Sequence, residues 1–321
     1  MAVYQKGSRG LDVTRLEIRL KELGLYTGAL DDVFGPGLES AVRAFQQRRG
    51  LPVTGIVDDT TSGALYAEPS ARLAAVRKKP AAYRSLTLTA GFETSTDAPD
   101  CFCGVAGNFD GQGISFGVLQ WNLGQGTLQP MRKQLLVQHP QVMQQAFGEG
   151  LTVIQQVLGK DKPAQLAWAG TIQVPGGRRL AEPWHSRFKA LGRAAECHEV
   201  QVQGAKDRYA QGLQMCQTYG LWSERGASLM FDIVVQNGSI RDATRQQILA
   251  DFQKIPAGAS REEQEVTRMR IIANRRAEAA NPKFVEDVRK RKLTIANGVG
   301  IVHGLGYDLE RQFHLRLAPM A

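Results

Sequence analysis

Along the first 66 residues the apolar positions fall into two helical stripes. Leu11, Val13, Leu16, Ile18, Leu20 and Leu23 predict a helix closed by Gly24, and Leu38, Val42 and Phe45 predict a second closed by Gly50. Between them, TGALDDVFGPG is rich in turn formers. LPVTGIVDDTTSGAL then offers a Pro/Gly turn, with Asp58 or Asp59 as the cap of a third short helix. Residues 67–84, AEPSARLAAVRKKPAAYR, mix Pro, Ala and basic side chains in the manner of a linker. From residue 85 the pattern is mainly helical, with amphipathic stretches at 127–147, 183–219, 226–236 and 260–280. One glycine-rich interruption, 104–126, breaks it. LTLTAGFETS reads as a helix end, and CFCGVAG and ISFGVLQW as two short strands flanking NFDGQG. No βαβ alternation is present, so a doubly wound sheet is not expected. The predicted architecture is mainly α: a three-helix domain over 1–66, a basic linker over 67–84, and a larger domain over 85–321 with a short β-hairpin.

Charge and cysteine usage narrow the function classes. The chain has 321 residues, ample for two domains, and a net charge of +9. That charge is uneven: residues 1–70 hold eight Lys/Arg against nine Asp/Glu, whereas 71–90 hold Arg72, Arg77, Lys78, Lys79 and Arg84 and no acid. A basic protein approaches polyanions such as nucleic acid, anionic lipid or acidic wall polymers, while a solvated linker accounts for 71–90 equally well. No run of 18 apolar residues exists, so no transmembrane span is expected. MAVYQKGSRGLDV has no apolar signal core, which points to synthesis in a cytosol with later release by a helper. The cysteines, Cys101, Cys103, Cys197 and Cys216, form no C-x-x-C, and no histidine stands at ligand spacing. Reduced buried thiols, no metal and no cofactor are the expectation.

The chemistry concentrates in 110–117, DGQGISFG. Its G-I-S-F-G matches the G-x-S-x-G of a serine-hydrolase elbow, but an elbow needs a strand entering the serine turn and a helix leaving it. Here a glycine-rich loop enters and a strand-like FGVLQW leaves. A paired-carboxylate reading uses more of the residues. Glu93 ends a helix beside Phe92 and Leu88, where burial would favour its protonated form, and Asp110 follows on a wet glycine turn. Glycoside hydrolysis needs such a pair, one to protonate the leaving oxygen and one to act from the opposite face of the sugar. Ser115, on the strand leaving the turn, is placed to hold the attacking water.

Two resemblances follow from these residues. KGSRGLDV, LKELG, the F-G turn, AVRAFQ and GLPVTGIVDD resemble the small three-helix peptidoglycan-binding domain of cell-wall hydrolases. That resemblance implies wall binding through Asp31, Asp32, Phe34 and Gly35, with Asp32 standing where glycine is usual. The stretch from Glu93 to Gly117, ending DGQGISFG, resembles the catalytic signature of the chitosanase family of glycoside hydrolases. It implies a two-lobed, lysozyme-like α+β domain, Glu93 as general acid, Asp110 as general base, Ser115 in place of a water-positioning threonine, and an inverting reaction. Gln112 stands where arginine is common in that family. Chitosan is polycationic and fits a basic protein poorly, so peptidoglycan is the expected substrate and partner. Residues 85–321 also resemble the catalytic part of phage endolysins. The combined expectation is a monomeric muramidase that acts in the periplasm or wall after holin- or secretion-dependent release, with a chitosanase or a non-catalytic wall-binding protein as the alternative readings.

The remaining polar candidates keep two readings each. Gln112, Gln120, Trp121 and Asn122 line a cleft, or Trp121 packs inside. Asp232, among apolar neighbours, contacts substrate or holds Arg225 or Arg241 structurally; Glu224 and Asn237 are similar. The basic segment 260–291, with VRKRK at 288–292, touches outer-membrane lipid or forms a solvated helix face. Without interleaved aromatics it is not expected to bind nucleic acid.

Overall fold

The computed structural model describes residues 3–69, 71–96 and 100–320; Ser70 and the side chain of Arg72, both in the expected linker, lie outside the described residues. The chain forms two compact units, Met1–Ser85 with Gln211–Ala321, and Leu86–Ala210. It is mainly helical with few, short strands.

The first unit begins with three helices, Leu11–Glu22, Pro36–Arg49 and Asp59–Tyr66. Val13, Leu16, Leu20, Phe34, Leu38, Val42, Phe45, Val57 and Leu65 close into its core. Pro36 opens the second helix and Gly50 ends it at φ 66, a left-handed position that suits glycine. Asp58 is the cap of the third helix, its carboxylate accepting from the Thr61 N–H at 2.7 Å.

The C-terminal part of this unit is built on helix Glu224–Asn237, buried from Glu224 to Val234. Arg84 pairs with Glu224 at 2.5 and 3.1 Å, and Ser85 with Ser228 at 2.7 Å. Helix Arg261–Glu278, opened by a Ser260/Glu263 capping box, and helix Val285–Asn297 pack together and lead into a hairpin, Val299–Val302 with Leu305–Asp308. The periodicity did not predict that hairpin.

The hairpin meets the N-terminal helices. Gly306 lies so near Ile18 and Leu30 that a Cβ there would fall within 2.4 and 2.8 Å of them. Arg311 donates to the carbonyls of Tyr66 and Glu68, at 3.4 and 2.8 Å, and Gln312 donates to the Glu22 carboxylate at 3.0 Å. Residues 67–84 hold a short helix, Ala71–Val76, that packs on Leu309–Phe313, and then begin helix Ala81–Thr94.

The second unit contains a three-stranded antiparallel sheet in chain order: Val105–Ala106, Ser115–Phe116 and Trp121–Asn122. Six helices between Leu128 and Gly204 surround it. Phe116 packs on Phe188 and Phe188 on Phe147, at centroid distances of 5.5 and 5.2 Å. CFC is not a strand. Asp100–Cys103 is a single 3-10 turn that buries Cys101, Phe102 and Cys103 together, so the two cysteines do not face alternate sides. All four thiols are buried and unbridged, and burial pushes Cys197 and Cys216 up to about 12. That suits packing more than reactivity.

Candidate active site

Helix Ala81–Thr94 delivers Glu93. Its residues from Arg84 to Phe92 are buried, and Phe92 is fully enclosed. The helix ends where Ser95 adopts φ 55, and within its last turn the Thr94 hydroxyl donates to the Ala90 carbonyl at 2.8 Å. Glu93, one residue beyond Phe92, points outward and is exposed; the burial expected to favour its protonated form is absent. Helical rotation explains this, because consecutive residues on a helix sit about 100° apart.

Asp110 sits in the loop joining the first two strands. Its Oδ1 accepts from the Gln112 N–H at 3.0 Å, an Asx-type turn, and no hydrogen bond to its Oδ2 is found among the described residues. The loop is held from several sides. Asn108 Oδ1 accepts from the Gly113 N–H at 2.7 Å, and Gln173 Oε1 accepts from the Asn108 N–H at 2.6 Å. The Gly124 N–H donates to the Gln112 carbonyl at 2.7 Å. Gly111 and Gly113 take φ 75 and 80, and a Cβ on Gly113 would press on Leu166 and Leu123 at 2.9 and 3.0 Å.

Ser115 lies on the central strand, paired with Ala106 on one side and Asn122 on the other. The Asn122 amide donates to Ser115 Oγ at 3.0 Å, while its own Oδ1 accepts from the Gln125 N–H at 3.0 Å. That second bond fixes the amide's orientation, so Ser115 accepts from Asn122 and its own proton is left to donate elsewhere. The antiparallel setting, with no helix leaving the serine, is not a nucleophile elbow.

Other expected residues divide by burial. Trp121 is only 7% exposed and lies against Gly204 and Gly117, so it packs inside the unit and presents no ring. Gln120 takes φ 51 and donates to the Gly117 carbonyl at 2.8 Å, while Gln112 is exposed. The sequence reading passed over Phe109, which is 49% exposed beside Asp110 with the Arg178 guanidinium 4.9 Å above its ring. An aromatic directly before the aspartate in a glycine-rich loop was the signal available.

Asp232 and Asn237 belong to the other unit. Asp232 is fully buried, gripped by Arg291 at 2.7 and 3.0 Å and by Lys292. Its partners are therefore not Arg225 or Arg241. Burial alone would push this carboxyl up, but the two cations outweigh it and hold it well below the usual range. The VRKRK run is consequently not a solvated face: its Arg291 and Lys292 are inside the fold. In the N-terminal domain Asp31 and Asp32 are exposed, whereas Phe34 is a core residue at 1% exposure and Gly35 caps the second helix. Asp32 takes φ 60, a left-handed conformation that explains why glycine is usual there.

With this geometry in place, comparison with known proteins is informative for one part of the chain. Residues 9–65 match the family described as "Putative peptidoglycan binding domain". The N-terminal module is a peptidoglycan-binding domain. The spore cortex-lytic enzyme of Bacillus cereus is 49% identical over 59 residues, 18% of this chain and 23% of that protein. The N-acetylmuramoyl-L-alanine amidase CwlM of Mycobacterium tuberculosis is 40% identical over 57 residues, 18% of this chain and 14% of that protein. The chain thus matches less than a quarter of the length of these relatives. Among solved structures, the native chitosanase of Bacillus subtilis MY002 superposes with TM-score 0.41 at 17% identity, over 68% of this chain and 87% of that one. The GH46 chitosanase of Gynuella sunshinyii, in complex with chitotetraose, superposes with TM-score 0.42 at 15% identity, over 69% and 88%. No helix among the described residues is long and apolar enough to cross a membrane, and no cluster of three or more metal-ligating side chains occurs among them.

Proposed function

We propose that the protein is a peptidoglycan glycosidase of the muramidase type, targeted by its N-terminal domain. The observation that carries this reading is the set of groups within Leu86–Ala210: an exposed glutamate at a helix end, an exposed aspartate on a braced hairpin loop, and a serine oriented by Asn122. They stand on a chain that also holds a peptidoglycan-binding domain. The relatives sharing sequence with the chain include a cortex-lytic enzyme and an amidase by name, so those names do not choose the bond, and the choice rests on the carboxylates.

In this mechanism Glu93 protonates the glycosidic oxygen as it leaves. Asp110, through the oxygen not engaged by Gln112, draws a proton from a water, and Ser115 donates its hydroxyl proton to that water's oxygen to hold it in line. Inversion at the anomeric carbon follows from attack opposite the leaving group. Phe109 offers its ring to a sugar face. The enzyme reaches the wall by holin release, as an endolysin does, or by a secretion system, as an antibacterial effector does. Mass spectrometry of digested sacculi tests the proposal. Reducing N-acetylmuramic ends from wild type and none from Glu93→Gln are expected, whereas stem peptides freed from intact glycan would make it an amidase.

A further inference from the structure

A cavity in the first unit is lined by two arginines that no part of the mechanism uses. It has a volume of about 420 Å³ and lies where helix Glu224–Asn237 ends, helix Asp242–Phe252 begins and helix Arg261–Glu278 runs past. Asn237, Arg241 and Arg276 line it and also an adjoining recess of about 80 Å³, to which Ser239 and Thr244 add hydroxyls. Among the described residues no ion pair joins Arg241 or Arg276 to a carboxylate, and Arg241 is the one charged neighbour acting on Arg276. The Arg276 Nε–H is buried without an acceptor, and so is the Asn237 amide oxygen without a donor. Arg241 is exposed and Arg276 part-buried, so the cost falls on the buried Arg276 Nε–H and Asn237 oxygen, which a ligand in the cavity would satisfy. Burial, and then the nearby Arg241, depress the Arg276 guanidinium below its usual range.

The donors and acceptors describe the ligand. Two guanidiniums and the opening turn of a helix want a compact oxyanion. The orphaned Asn237 oxygen wants an N–H. Ala279, Ala280, Val288 and Phe284 supply an apolar wall that accommodates a methyl group. The one acid on the cavity, Asp287, lies outside the recess and is held by His303 at 2.6 Å. Gln236, on the wall, is tied to Lys292 at 2.6 Å, which anchors this side to the buried Asp232 cluster. An N-acylated alanine carboxylate carries a group for each: a carboxylate for Arg241 and Arg276, an amide N–H for the Asn237 oxygen, and a methyl for the apolar wall.

We propose that this cavity binds the free carboxyl end of a short alanine-containing peptide, which, if the protein acts on peptidoglycan, is a stem peptide of the wall. The test uses the full chain and N-acetyl-Ala-Ala as the free acid, its C-terminal amide, and inorganic phosphate, followed by calorimetry and by amide NMR shifts at Asn237–Thr244. Saturable binding of the acid with Kd on the order of 1 mM is expected, with the amide at least about tenfold weaker. Arg276→Gln and Arg241→Gln should each weaken the acid by about tenfold, with unchanged Tm showing that they fold. Equal binding of acid and amide, phosphate bound more tightly than the acid, or no saturable shift at Asn237–Thr244 would each overturn the assignment. Binding is read without turnover, so it separates from the lytic reading. If Glu93→Gln still digests sacculi while the acid binds, the catalytic assignment fails and this site stands.

Discussion

Glu93, Asp110 and Ser115 occupy positions that differ in how much the fold prepares them, and their substitutions should differ accordingly. Glu93→Gln removes the general acid of the scheme and is expected to abolish release of reducing ends. Asp110→Asn keeps the turn, because the amide oxygen still accepts from Gln112, yet should lower kcat by about 10²–10⁴-fold. Ser115→Ala removes only a water-holding hydroxyl and should cost less than either. Reducing-end assays rank the three, and full activity in Glu93→Gln would falsify the assignment. Asp232 makes the opposite case. Its carboxylate compensates two buried cations, so Asp232→Asn should destabilise the protein by about 3–5 kcal/mol in urea unfolding. A variant of unchanged stability that lost only activity would return Asp232 to the substrate-contact reading. From the sequence Asp232 was recognisable as a costly acid among apolar residues. Its partners lie 59 and 60 positions away, on a helix whose basic run looked solvated, so they were not recognisable.

At the scale of elements, the loop of the peptidoglycan-binding domain is held in part by a buried helix residue. Glu17 is fully buried, and its carboxylate accepts from the N–H groups of Asp31 and Asp32 at 3.2 and 3.3 Å. Burial, reinforced by Asp31, pushes it up from 4.5 to about 7 against the pull of those two bonds. Between those values the folded chain holds the proton more tightly than the unfolded one, so raising the pH strips it at a cost to the fold. The Tm of wild type relative to Glu17→Gln should therefore fall as the pH rises through that window. A gap that stays constant from pH 4 to 8 in paired melts would contradict it. The hairpin around Ser115 is braced differently, through Gln201, which accepts from the Val118 N–H at 2.8 Å and donates to the Phe102 carbonyl at 3.1 Å. The first loop was visible as a run of turn formers and the second as a glycine-rich segment, but not the side chains that hold them: Glu17 looks like any polar residue of the preceding helix, and Gln201 lies 83 residues beyond Val118.

For the whole molecule, the packing of the N-terminal helices on the C-terminal hairpin changes what deletion should do. A tethered module could be removed without consequence. Here removal of residues 1–66 strips Ile18 and Leu30 from Gly306, takes the Tyr66 carbonyl from Arg311 and takes the Glu22 carboxylate from Gln312. The remainder should melt lower than the full chain and bind a hydrophobic dye; an unchanged Tm would restore the tethered picture. The sequence alone determined the N-terminal helices and their caps, the peptidoglycan-binding pattern, the mainly helical character, and Glu93 and Asp110 as the carboxylates to consider. Each of these is local, written in residue spacing, turn chemistry or a contiguous motif. Only the tertiary structure decided that Trp121 is buried while Phe109 is presented, that Arg291 and Lys292 turn inward to Asp232, and that residues 1–66 share a unit with the chain's end. Those outcomes depend on which distant surfaces meet, and desolvation and ion pairing act across that distance with no mark in the neighbouring sequence.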